Sequence, residues 1–306
     1  MRVFIDGSAG TTGLRIRERL AARDDIELIQ LTEALRKDAN ARREALNAAD
    51  IAFLCLPDAA AVEAVSLIDN PNTAVIDTST AHRTAEGWAY GMPELSGQRA
   101  RIAHSKRIAN PGCHASGFIA LVAPLVHAGI VPKGAQLGCF SLTGYSGGGK
   151  KMIAEYESPE RSPLLKAPRQ YGLTQQHKHL KEMAYVCGLD HMPGFSPIVA
   201  DFYSGMEVSV QLFDVDIEAI RAAYRATYPG PVIRYVEGSD EGGFLSAAAF
   251  SGRDDMEITV YGHSERVLLT ARFDNLGKGA SGAAIQNMNI LMGVDEIKGL
   301  VMGFDD

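Results

Sequence analysis

Short apolar runs alternate with amphipathic stretches over the first hundred residues. Arg2–Asp6, Ile26–Leu31, Asp50–Leu56 and Ala74–Asp77 read as strands, and Thr11–Arg23 and Ala59–Ile68 as helices. The strand candidates are apolar on both faces, as in a parallel sheet covered on each side by helices. Pro57-Asp58 and Pro71-Asn72 supply the breaks between them. The pattern predicts an α/β fold with a doubly wound, mostly parallel sheet. After about residue 130 alternating runs appear instead, at Met206–Phe213, Ile258–Tyr261 and Val267–Phe273, with turn residues between them. These predict a second, α+β domain with an antiparallel or mixed sheet. A last helix, Ala280–Met292, follows a glycine-rich loop. The expected division is therefore 1–112 with 280–306 for a first domain and 113–279 for a second.

Composition narrows the class. The 306 residues carry 30 Lys+Arg against 37 Asp+Glu, a net charge of −7, with 46% hydrophobic and 22% charged positions. This is ordinary for a globular chain of about two domains. It gives no electrostatic reason to expect a nucleic-acid partner. The longest largely apolar segment, Phe118 to Val126, falls far below the ~20 residues that span a bilayer, and no signal-like stretch opens the chain. The four cysteines, Cys55, Cys113, Cys139 and Cys187, are scattered without a C-x-x-C pair. We therefore expect a cytoplasmic protein with reduced thiols and no membrane or nucleic-acid partner.

Gly7-Ser8-Ala9-Gly10-Thr11-Thr12-Gly13 directly follows the first strand and opens a helix. Glycine permits positive φ and close backbone approach, while the free N–H groups and dipole at a helix start favour a pyrophosphate. The reading is a dinucleotide site; the alternative is a tight βα turn without ligand. Glu33 lies 20 residues past Gly13, where an acid would meet a ribose 2′-hydroxyl, but Arg36 and Lys37 follow and suit a 2′-phosphate. The balance favours NADP, unless these charges are simply a solvated loop.

Asn110-Pro111-Gly112-Cys113 precedes an apolar helix candidate. Pro and Gly force a turn that sets Cys113 at the helix N-terminus, where dipole and N–H groups favour a thiolate nucleophile. Cys55, Cys139 and Cys187 lie in or beside apolar segments and read as buried small hydrophobes. Gln176-His177-Lys178-His179-Leu180-Lys181-Glu182 offers a base. On a helix, Glu182 would share a face with His179 and hold its imidazole, while His177 would point elsewhere. On a strand, His-x-His would read as a metal site instead, though no other ligand-rich cluster accompanies it, and we assign no metal.

These runs, together with Gly144-Tyr-Ser-Gly-Gly-Gly-Lys150 and Asn275-Leu-Gly-Lys-Gly-Ala-Ser-Gly282, resemble the N-acetyl-gamma-glutamyl-phosphate reductases, in their shorter form, over nearly the whole chain. The resemblance implies a Rossmann-type cofactor domain, homo-oligomers (dimer or tetramer), and NADPH-dependent reduction of an acyl phosphate through a cysteine thioester in arginine biosynthesis. It implies Cys113 as nucleophile, His179 as acid/base steadied by Glu182, and Gly7, Gly10 and Gly13 in the cofactor turn, with Ser8, Thr11 and Thr12 between them. The family's His-Arg-His-x-Pro-Glu is here interrupted by Lys178 and Lys181.

An acyl phosphate brings phosphate and carboxylate charge, which calls for cations and N–H donors. Arg83 follows the Ala74–Asp77 strand at the end where ligands bind in open α/β sheets. Ser146, Gly147 and Lys150 belong to a second glycine-rich loop expected to present unpaired N–H groups. Each could equally be a solvated loop position. Ser281 and Gly282 are candidates for the nicotinamide end, or Ser281 merely caps the last helix. Other readings are an aspartate-semialdehyde dehydrogenase, whose family usually has Asn-Cys-Ser/Thr at the nucleophile, a non-catalytic NADP-binding module, and a cysteine hydrolase.

Overall fold

The computed structural model describes residues 1–303. The chain forms two compact units: Met1–Pro93, Gly97–Pro111 and Ala280–Leu300 make the first, and Glu94–Ser96, Gly112–Gly279 and the described residues from Val301 on make the second. Compared with the expected division, Glu94–Ser96, Gly112 and residues 301–303 belong to the second unit. Side chains explain this. Lys278 Nζ donates to Glu94 at 2.7 Å, and Val301 and Asp254 exchange backbone and carboxylate bonds.

The first unit runs β1 (Arg2–Asp6), α1 (Thr11–Ala21), β2 (Glu27–Ile29), α2 (Ala39–Ala48), β3 (Ile51–Leu54), α3 (Asp58–Ser66), β4 (Ala74–Asp77), β5 (Ala89–Tyr90), α4 (Gln98–His104) and β6 (Arg107–Ala109). All six strands are parallel, in the order β2-β1-β3-β4-β6-β5. Successive side chains of a strand face opposite sides. Val3 and Ile5 accordingly join Ile16, Leu20 and Ile102 in one core, while Phe4 joins Leu46, Ala61 and Ala64 in another. The order reverses between β1 and β3, the position where doubly wound sheets take a ligand.

Helix α2 is absent from the apolar pattern for a physical reason. Its buried stripe is only Arg42, Ala45 and Leu46, and Arg42 is a charge whose Nε donates to Asp6 at 3.0 Å. The very short β5 and β6, with seven-residue α4, likewise give too little periodicity to read.

The second unit contains α5 (Cys113–His127), β7 (Gly138–Gly144), α6 (Gly149–Glu157), β8 (Arg169–Gln170), α7 (Leu180–Cys187), β9 (Gly194–Ala200), β10 (Met206–Phe213), α8 (Ile217–Thr227), β11 (Ile233–Tyr235), β12 (Met256–His263) and β13 (Arg266–Phe273). Its mixed sheet has the order β11-β12-β13-β10-β7-β9-β8, with β7/β9 and β11/β12 parallel. Helix α5 packs on β10 and β13 between α7 and α8. A Cβ on Gly117 would come 2.5 Å from Val208, so glycine is what permits this approach. Pro124 lacks the N–H that would bond Ala120 inside α5. Tyr228 Oη donates to Ala120 O at 2.7 Å, and Tyr224 Oη to Leu121 O at 2.5 Å, so α8 satisfies that opening. The opposite face of the sheet exposes Phe140 and Phe213. The chain then returns to the first unit as α9 (Gly282–Met292), whose Ile285 and Met288 enter the Val3 core. Among the described residues no helix is long and apolar enough to cross a membrane.

Candidate active site

The glycine turn sits at the carboxyl end of β1, at the point of strand reversal. Gly7 has φ +85°, and a Cβ there would overlap the carbonyl oxygen of Cys55 just past β3. A Cβ on Gly13 would lie 2.6 Å from Gly7 O. Gly10 is less constrained; its nearest neighbour would be 3.6 Å away. It caps α1 without a side-chain bond. At the first turn, Thr11 Oγ1 is buried and has no hydrogen-bond partner among the described residues. Ser8 and Thr12 are half-buried beside it. An orphaned hydroxyl, uncapped N–H groups and glycine clearance together fit a dinucleotide phosphate. Arg36 lies in the turn before α2, exposed and ion-paired with Glu33.

Cys113 is the first residue of α5, half-buried, with Gly112 as the cap. The other three thiols lie in a different electrostatic setting. Burial pushes Cys55 up to about 12 and raises Cys139 and Cys187 as well, so none of them ionises at neutral pH. Glu182 Oε2 accepts the Gly112 N–H at 3.3 Å, and a Cβ on Gly279 would come 3.0 Å from Cys113 Cβ.

His179 and Glu182 are both buried, but α7 starts only at Leu180. His179 is its flanking residue with helical backbone, φ −81° and ψ −14°, and Glu182 is in the first turn. His177 does not point elsewhere. The chain before α7 is a turn, so the two rings meet edge-on with centroids 4.7 Å apart, and His177 Nδ1 accepts the His179 N–H at 3.2 Å. His114, next to Cys113, completes the cluster, 5.7 Å from the His179 ring and 5.6 Å from that of His177. Its Nδ1 lies 2.6 Å from Ser141 Oγ and its Nε2 2.6 Å from Tyr171 Oη. Burial pushes His114 down to about 3. The residue beside the cysteine was visible in the sequence; nothing there signalled Ser141 or Tyr171. Among the described residues no group of three or more His, Cys, Asp or Glu is placed to hold a metal ion.

The remaining candidates sit in distinct surroundings. Arg83 is not a solvated loop charge. It is buried, with Nε donating to Asn110 O and a terminal nitrogen to Thr78 O, both at 3.0 Å. Ser146 and Gly147 are in a 3-10 turn over 145–148, and Lys150 is in the first turn of α6, rather than in an open loop. The Ser146 N–H is spent on Tyr203 O at 3.0 Å, and Ser146 Oγ accepts from Asn275 at 2.9 Å. Gly147 and Lys150 are exposed. Ser281 does not cap α9 with its side chain; it ends a π-helical turn over 277–281 that runs directly into Gly282. Asn110 Nδ2 donates to Ala280 O at 3.0 Å in the same region.

Two family models fit the chain: semialdehyde dehydrogenase, NAD binding domain, over residues 2–104, and semialdehyde dehydrogenase, dimerisation domain, over residues 113–275. The chain belongs to the semialdehyde dehydrogenase family. Curated relatives carry a more particular name. N-acetyl-gamma-glutamyl-phosphate reductase 2 of Nostoc sp. is 44% identical, with 98% of this chain and 99% of the relative covered. N-acetyl-gamma-glutamyl-phosphate reductase of Brucella ovis is 46% identical, covering 95% and 99%. The resemblance read from the cysteine and C-terminal motifs is thus borne out. The fold is similar to that of aspartate semialdehyde dehydrogenase II complexed with ASA from Vibrio cholerae, at TM-score 0.70 and 17% identity over 95% of this chain and 98% of that one. It is also similar to aspartate semialdehyde dehydrogenase with NADP from Candida albicans, at TM-score 0.66 and 13% identity over 95% and 99%.

Proposed function

We propose that this chain reduces N-acetyl-gamma-glutamyl phosphate to N-acetylglutamate 5-semialdehyde and phosphate, using NADPH, as a step of arginine biosynthesis. The observation that carries the chemistry is Cys113 at the start of α5, half-buried beside an imidazole cluster, while the other three cysteines are held as thiols. The names of relatives 44% and 46% identical support the acyl group. The solved aspartate-semialdehyde structures share only the fold.

The Cys113 thiolate attacks the acyl carbon, and the carbonyl electrons move onto oxygen. They return as the C–O bond to phosphate breaks, leaving a thioester and inorganic phosphate. Residues 7–13 would hold NADPH, which when bound would supply the hydride that takes the thioester to the aldehyde level. His179 lends a proton to the developing oxyanion and takes it back as the C–S bond breaks, which regenerates the thiolate and frees the aldehyde. Glu182 keeps negative charge near His179 and fixes Gly112, so the turn that carries the sulfur does not shift. Gly7, Gly10, Gly13 and Thr11 would hold the pyrophosphate, with Ser8 and Thr12 beside it. Arg36 would exchange Glu33, in an exposed ion pair worth at most about 1 kcal/mol, for the 2′-phosphate. Ser281 and Gly282 are assigned to the nicotinamide end. Arg83, held by two carbonyls, and Lys150 are assigned to the substrate's anionic groups, with Ser146 and Gly147 shaping the turn before Lys150. The match to a dimerisation domain supports a homo-oligomer, and the exposed Phe140 and Phe213 mark the face of the second unit's sheet for it. We place the enzyme in the cytoplasm, where its cofactor is kept reduced.

The test is the reverse reaction with phosphate and NADP. Turnover with N-acetylglutamate 5-semialdehyde, lost in Cys113→Ser while cofactor binding remains, is the expected result. Preference for aspartate semialdehyde would replace the substrate, and full activity of the serine variant would end the thioester route.

A further inference from the structure

Strand β9 pairs with β7 along its whole length, but on its other side β8 reaches only Val199 and Ile198. Tyr171, just past β8, continues that edge by donating its N–H to Pro197 O at 3.0 Å. The chain then leaves the ladder in a turn over 172–175. The outward N–H and C=O of Phe195 would stand open there, as on a bare strand edge.

A side chain takes the place of the missing strand. Gln175 Nε2 donates to Phe195 O at 2.7 Å, and Gln175 Oε1 accepts the Phe195 N–H at 2.8 Å. A reversed amide would set donor on donor and acceptor on acceptor, so the two partners fix its orientation. The backbone is strained to reach this position. Gln175 has φ +55°, in the left-handed region that favours glycine, and its N–H closes the turn on Gly172 O at 2.9 Å.

The clamp grips the residue on which the imidazole cluster rests. The Phe195 ring lies edge-on to His177, centroids 5.1 Å apart, and edge-on to His114 at 5.3 Å. His177 Nδ1 accepts the His179 N–H, which ties the two histidines together. Only residues 176–179, without helix or strand, join Gln175 to the start of α7. Their path is set by what holds their two ends.

We propose that Gln175 is a positioning residue for His179: its side-chain amide stands in for a strand opposite Phe195 and so fixes the approach to α7 and the place of the imidazole. This rests on the reading of His179 as the acid/base of the reduction. Gln175 acts through Phe195 and His177, so its removal is felt in turnover rather than in ligand affinity.

The experiment is steady-state kinetics of the full-length enzyme with N-acetylglutamate 5-semialdehyde, phosphate and NADP, with thermal melts alongside. The variants are Gln175→Gly, Gln175→Leu, His179→Asn and the Gln175→Gly/His179→Asn pair. Gln175→Gly removes the amide but relieves the left-handed backbone, whereas Gln175→Leu keeps the strain and the bulk. Both are expected to lower kcat about tenfold and to leave KM for NADP and phosphate within about twofold, because proton transfer depends on placement. In the His179→Asn background, Gln175→Gly is expected to cause no further loss. Wild-type kcat in both single Gln175 variants overturns the proposal. Loss in Gln175→Leu alone shows strain without a clamp and overturns it too, as does an undiminished tenfold effect once His179 is gone. Hydrogen exchange of the wild type needs no variant: the Phe195 amide is expected to be protected, and fast exchange there means that the clamp is not made. Full activity of His179→Asn overturns the acid/base reading itself, and this proposal with it.

Discussion

The Glu182 carboxylate accepts the backbone N–H of Gly112, the residue that caps the helix carrying Cys113, at 3.3 Å. Removing that acceptor strands a buried N–H and costs about 1–3 kcal/mol. Glu182→Ala is therefore expected to lower the melting temperature by a few degrees as well as kcat. Glu182→Gln retains an acceptor but not the charge, so it should melt near wild type and still lose activity. Equal melting of the two variants would remove the structural part of this role.

The three glycines of the cofactor turn should respond differently. Gly7 combines φ +85° with a Cβ overlap on Cys55 O, so Gly7→Ala is expected to cost fold stability and NADPH binding together. Gly10 has its nearest neighbour at 3.6 Å, so Gly10→Ala should melt normally while weakening NADPH binding in a fluorescence titration. Undiminished affinity in that variant would move the phosphate away from the start of α1.

His114 makes a prediction about acid stability. Its folded pKa, about 3, lies below the ordinary histidine value near 6.5. Between those values the unfolded chain binds more protons, so stability rises with pH across the window and is flat above it. Each pH unit inside the window is worth up to about 1.4 kcal/mol. Melting followed from pH 7 to 4 should show this slope in the wild type and a shallower one in His114→Asn. Parallel curves would show that the buried imidazole does not carry the acid limb.

Pro124 and Tyr228 should be coupled. Tyr228→Phe leaves Ala120 O without its donor, at about 1–3 kcal/mol. Pro124→Ala returns a backbone N–H to that carbonyl, so the Tyr228→Phe/Pro124→Ala pair is expected to recover part of the loss in a denaturant titration. Strict additivity would rule out a shared acceptor.

What could be read in the sequence was what local pattern determines. Strands β1, β4 and β10 have the expected limits because their apolar runs are bounded by turn residues. The cysteine turn is visible because Pro111 and Gly112 impose it before a continuous apolar helix. Helix α2 was hidden because its inward face includes Arg42, matched to Asp6 from another strand. The turn at Ser146 resembled a loop because three glycines stand together, whereas Tyr203 and Asn275, far along the chain, give it order. Tyr171 has no sequence signal at all. Its relation to His114 arises only when β8 and α5 fold into the same unit.

The first unit draws its residues from both ends of the chain, with α9 closing the core that contains Val3, Ile76 and Ile108. During synthesis, residues 112–279 are all polymerised before α9. The sheet that will bind the nucleotide must wait, with one greasy side uncovered, until Ile285 and Met288 emerge. A chain terminated at residue 279 would contain every atom of the imidazole cluster and the Cys113 sulfur, yet its first hundred residues would lack the helix that closes their core.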